Sequence, residues 1–110
     1  QASGSSYVLS PNETNQLVGL SFNMNDLSGN QKIQYLVKRG NYTRSGIIFV
    51  TYNSAAGTFN IDDDSSETGD VGVIFSLQND GSSLDLLYTS TSGGTDFTLI
   101  AAESYLDVSW

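Results

Sequence analysis

The densest group of side chains able to do chemistry is Asp62, Asp63, Asp64, Glu67 and Asp70. Carboxylates and carbonyls are what a hard cation binds, and calcium takes about six to eight such oxygens. Asp62, Asp64, Glu67 and Asp70 are therefore the calcium candidates. Their spacing is not that of a helix-flanked calcium loop, which needs glycine at its sixth position, where this chain has Glu67. The competing reading is a solvated acidic turn whose carboxylates cap backbone amides, with Gly69 at positive φ; it is preferred, and no metal is assigned. Paired carboxylates about 5 to 9 Å apart can also hydrolyse glycosides. Twelve acidic residues make some such pair inevitable, so the spacing carries no specificity. The chain has no histidine and no cysteine, which removes the usual general base, most hydrolase triads, zinc chemistry and disulfides. No catalytic residue and no cofactor is assigned.

Arg39 and Arg44 are half of the positive charge in a chain of net charge -8. A guanidinium matches carboxylates bidentately, so an internal or inter-subunit salt bridge is expected rather than a receptor contact. The negative balance argues against nucleic acid and against an anionic membrane surface. Six tyrosines, five phenylalanines and one tryptophan offer stacking surfaces for sugars. Phe22, Tyr35, Phe49, Phe59, Phe75, Tyr88 and Phe97 fall on strand faces expected to be buried. Tyr42 lies in a loop, and Trp110 is expected to pack against a partner subunit. Asn12-Glu13-Thr14 and Asn41-Tyr42-Thr43 match the glycosylation acceptor pattern, which is short enough to recur by chance.

The elements that must position these residues read as strands. Val18, Leu20, Phe22 and Met24 alternate with small or polar residues, as do Ile33, Tyr35 and Val37, and later Val71, Val73, Phe75 and Leu77. Arg44 to Tyr52 is β-branched and aromatic on both faces and should sit centrally. Thr58 to Asp62 reads as a short strand running into the acidic turn. Asp80-Gly81 between strand-like runs signals a type I′ hairpin that pairs Val71–Asn79 with Ser82–Thr91. No window shows helical spacing, and no apolar run approaches the roughly 20 residues that span a bilayer. Seven to eight short strands predict an all-β antiparallel β-sandwich of one domain. Residues 1–16 are read as a linker or N-terminal arm and 17–110 as the domain. Gln1 is read as an internal position of a longer protein and Trp110 as a natural C-terminus.

The runs YLVKRGNYTRSG (Tyr35–Gly46), Glu67-Thr68-Gly69-Asp70-Val71-Gly72-Val73 with Phe75, Asp80-Gly81, and Leu86-Leu87-Tyr88-Thr89-Ser90-Thr91 carry a resemblance. Together they resemble the signature of bacteriophage tail-fibre and virion structural β-sandwich domains, which also occur at the tips of phage-derived trimeric fibre proteins of predatory bacteria. The likeness spans roughly Leu17 to Ile100. It departs at Glu103–Trp110, where such domains often end in a Lys-Arg-Trp-like strand. The resemblance implies a homotrimeric fibre head at a C-terminal tip, on a virion tail fibre or a bacterial cell surface. Its implied work is adhesion to a cell-surface glycan or envelope polymer. The matched residues are then fold and trimer residues; within the first run these are Lys38-Arg39-Gly40 and Arg44-Ser45-Gly46, and receptor contacts belong to the unmatched loops, including Asn41 to Thr43 between them, through Asn41, Tyr42, Asn53, Thr95 and Asp96. A purely structural virion module and a monomeric carbohydrate-binding module of an enzyme are the alternatives.

Overall fold

The computed structural model describes residues 5–23, 30–53, 56, 58–81 and 83–105. Side chains at 22, 23, 30, 31, 53 and 102–105 lie outside that description, as do 24–29, 54–55, 57, 82 and 106–110 altogether, so the expectations for Phe22, Met24 and Trp110 fall there. Eight strands follow in order: β1 (Ser5–Leu9), β2 (Gln16–Asn23), β3 (Asn30–Arg39), β4 (Tyr42–Asn53), β5 (Thr58–Glu67), β6 (Val73–Asn79), β7 (Ser83–Ser90) and β8 (Phe97–Tyr105). They form a five-stranded sheet, β1-β8-β3-β4-β5, and a three-stranded sheet, β2-β7-β6, with every neighbouring pair antiparallel. No helix occurs among the described residues.

Period-two alternation does the work that the sequence suggests. Ile33, Tyr35 and Val37 of β3 face inward, and so do Val73, Phe75 and Leu77 of β6. With Leu9, Ile48, Val50, Leu84, Leu86 and Leu99 they make one core shared by the two sheets. Tyr35 and Phe75 meet edge to face across it, with ring centroids 5.2 Å apart.

Four expectations are corrected. Ser5–Leu9, inside the stretch read as a linker or arm, is an edge strand along β8, and Leu9 is fully buried. The acidic segment is no turn: β5 continues through Asp62, Asp63 and Asp64 to Glu67, because the twelve-residue β4 supplies pairing partners along its whole length. Acidic side chains on that exposed edge deter another strand from pairing there. The Asp80-Gly81 reversal pairs the expected strands but is not a type I′ turn on those two residues: φ is positive at Gly81 and not at Asp80, and Asp80 N donates to Ser83 O at 3.1 Å, so Asp80 is still paired before the chain turns. The Asn79 and Asp80 side chains shape it, accepting hydrogen bonds from Gly81 N at 2.9 Å and Ser83 N at 3.1 Å. Finally, Phe49 and Phe59 are 36% and 38% exposed: Phe49 stands on the outer face of the large sheet, which no other described strand covers, and Phe59 lies on the edge strand.

Candidate functional site

The chain crosses between the sheets at residues 10–15, 68–72 and 91–96, and these crossings meet the Gly40-Asn41 turn at one end of the molecule. Backbone groups leaving a sheet lose their ladder partners and need others. Here side chains provide them. The Ser90 hydroxyl donates to Ser10 O at 2.6 Å and accepts from Glu13 N at 3.1 Å, while Tyr88 OH accepts from Ser10 N at 2.9 Å. Asn12 N donates to Thr91 O and Thr91 N to Gly72 O, at 3.0 and 2.9 Å.

Arg39 ties these crossings to the large sheet. Its Nη1 donates to Val71 O at 2.9 Å and Thr91 Oγ1 at 3.1 Å, and its Nη2 to Thr91 O at 2.8 Å and Gly93 O at 2.9 Å. The guanidinium lies 4.6 Å from the centroid of the Phe97 ring. Arg44 spans the gap between sheets, donating from Nη2 to Val73 O at 2.6 Å and approaching Glu67 Oε2 at 3.9 Å from Nη1. Its Nε is buried and has no hydrogen-bond partner among the described residues. The expected salt bridge is therefore present for Arg44, whereas Arg39 grips backbone carbonyls.

The Glu-Thr-Gly-Asp-x-Gly segment is closely packed against this frame. Thr68 N donates to Thr43 O at 2.9 Å, Thr43 N to Thr68 Oγ1 at 3.0 Å, and Gly72 N to Asp70 Oδ1 at 2.8 Å. The Tyr42 ring lies on Gly69 so closely that a Cβ there would overlap it. Positive φ belongs to Gly72, at 64°, and not to Gly69 as expected.

The structure gathers Asn41, Tyr42, Thr95 and Asp96 at this end, all exposed, with Tyr42 52% exposed above its contact with Gly69. Asn53 stands at the opposite end of β4, paired with Thr58, more than 30 Å away at ~3.4 Å per residue. The calcium candidates are not brought together. Asp62 and Asp64 lie on the outer face opposite Phe49 and Ile47, Glu67 turns to Arg44, and Asp70 caps Gly72. Among the described residues no three acidic side chains converge on a possible cation. Asp63, on the inner face, accepts the Tyr35 hydroxyl at 2.7 Å. Burial first, and that hydrogen bond second, push the Tyr35 phenol up to about 12.

Two grooves border these elements. One of about 310 Å³ runs along the flank between Arg44, Asp70, Ile74 and Thr89. The other, about 300 Å³, lies near Asn53 and is lined by Thr51, Tyr52, Thr58, Phe59 and Asn60. Sequence reading missed it because it assigned Phe59 to the core. Neither a family model, nor a curated protein, nor a solved structure matches the chain.

Proposed function

We propose that this chain is the non-catalytic tip domain of a homotrimeric fibre, adhering to a glycan or envelope polymer on a cell surface. The observation that carries the reading is the loop end. Asn41, Tyr42, Thr95 and Asp96 are presented together on crossings held by Arg39, Ser90 and Thr68. Exposed polar and aromatic groups on a fixed frame suit recognition, because loops can change without disturbing the core. The motif resemblance supports the same reading from the sequence side: its matched residues Arg39, Gly69 and Gly72 are the ones that pack the frame. The fibre setting places the domain on a virion tail or a bacterial surface.

Binding of the chain to polysaccharide fractions from bacterial envelopes, read by calorimetry, tests this. Tyr42→Ala and Asp96→Ala are each expected to weaken binding about tenfold or more, the change that follows from losing ~1.4 kcal/mol. Unchanged binding in both would end the loop-end reading. The trimer is checked by light scattering.

One observation favours a second reading, a sugar-binding module. Phe59 forms a half-exposed aromatic wall in the groove beside Tyr52, the kind of platform on which a sugar ring stacks. Loss of binding in Phe59→Ala, with Tyr42→Ala unaffected, selects it.

A further inference from the structure

The Tyr42 ring rests on Gly69, and the next residue, Asp70, lines the groove of about 310 Å³ on the flank of the loop end. Arg44, which lines the same groove, stands two positions beyond Tyr42 on β4, so their side chains leave one face of the strand ~7 Å apart. The exposed tyrosine and the groove are neighbours. At about 310 Å³ the groove sits at the lower end of the range of ligand pockets, ~300 to 1,000 Å³, which suits a small ring compound.

Its lining divides by chemistry. Ile74, 71% exposed, forms an apolar wall that the core does not use. Asp70 supplies a carboxylate: one oxygen accepts from Gly72 N at 2.8 Å, and among the described residues the side chain makes no other hydrogen bond. Thr91 Oγ1 accepts from Arg39 Nη1 at 3.1 Å, which leaves its own proton to donate. Arg44 is no counter-ion for a ligand. Its side chain is only 12% exposed, its Nη2 is engaged by Val73 O at 2.6 Å, and its Nη1 faces Glu67 Oε2 at 3.9 Å. An open carboxylate without an accessible cation, in a chain of net charge -8, disfavours an anionic ligand. Carboxylate, hydroxyl and apolar wall together match a ring with hydroxyls along its edge and C–H groups on its face.

We propose that this groove is a second sugar subsite, taking an uncharged, hydroxyl-bearing ring of a glycan whose neighbouring ring stacks on Tyr42. The proposal rests on the adhesion reading above and names the class of glycan: a neutral polysaccharide, not a uronate or phosphate polymer. Asp70 accepts from ring hydroxyls, Thr91 donates to a sugar oxygen, and the C–H face packs on Ile74. Linked rings held at both places bind more tightly than either alone, because the first presents the second at high effective concentration.

Bacterial envelope polysaccharide, split by anion exchange into a neutral and an acidic pool, is the probe for calorimetry. Thermal unfolding by circular dichroism checks that each variant is folded. Binding is expected in the neutral pool and to be insensitive to added salt. Asp70→Asn keeps a side-chain carbonyl to cap Gly72 N but loses the charged acceptor, and should weaken that binding about tenfold. Ile74→Ala, at a position too exposed to disturb the core, should weaken it about threefold. Binding confined to the acidic pool overturns the neutral class of ligand. Neutral-pool binding that falls in Tyr42→Ala but is untouched in both groove variants overturns the subsite and leaves the loop-end reading standing. No binding in either pool overturns the adhesion reading, and the subsite with it.

Discussion

The Thr68–Gly72 crossing and the Gly93–Asp96 loop sit at the same end of the molecule and both rely on glycine, but for different reasons. A Cβ on Gly72 would overlap Thr91 Oγ1 and come within 3.2 Å of Arg39 Nη1, on a backbone that already has φ 64°. At Gly94, φ is 79°, and a Cβ would meet nothing within 4 Å. One glycine is demanded by packing and backbone together, the other by backbone alone. The first segment transmits rigidity between sheets; the second is free to vary in sequence, which is what a recognition loop requires.

Gly72→Ala tests that contrast most severely. It is expected to cost about 3 to 4 kcal/mol in urea unfolding, combining left-handed backbone strain with overpacking. Ser90→Ala comes next, at about 1 to 2 kcal/mol, since it leaves Glu13 N and Ser10 O without their side-chain partner at the same frame. A comparable effect comes from pH. Tyr35 holds its proton more tightly folded, at about 12, than at its ordinary 10.0. Its contribution is therefore complete below pH 10 and declines as pH rises from 10 towards 12, by about 1 to 2 kcal/mol in all. Tyr35→Phe should flatten that part of a stability profile measured by chemical denaturation. Smallest is Gly94→Ala, at about 1 kcal/mol. If it costs as much as Gly72→Ala, the distinction between frame and loop collapses.

The strands were legible where one face is covered and the other wet. Val71 to Leu77 and Ile33 to Val37 alternate cleanly, and their inward residues are the core. Alternation says which residues share a face, however, and not whether anything covers it. Phe49 reads as interior for that reason, although its face carries no second layer among the described residues. The acidic run misleads in the opposite way. Asp62 to Asp64 has the composition of a turn, and only pairing with Ile47, Ile48 and Phe49 makes it strand. Local composition cannot report a partner supplied by another segment. The same holds at the loop end. Asn41, Tyr42, Thr95 and Asp96 were recognisable as loop residues, but their shared end depends on β8 pairing with β3. Arg39 reaches carbonyls 32 to 54 positions away, which no spacing rule foresees. Asn53, chosen by the same loop logic, stands at the far end because β4 is long.

The short strand β1 has a mechanical consequence. Its five residues pair with β8 in register from Ser5↔Ala101 to Leu9↔Phe97, and Leu9 is the end nearer the loop cluster. Under the proposed adhesion, a pull on Ser5 against a ligand held at Tyr42 and Asp96 would run along the strand. Hydrogen bonds of an antiparallel ladder lie across that direction, so the tension is shared by all of them at once instead of peeling them singly. The attachment of β1 is thus strongest along the line in which an anchored adhesion domain would be stretched.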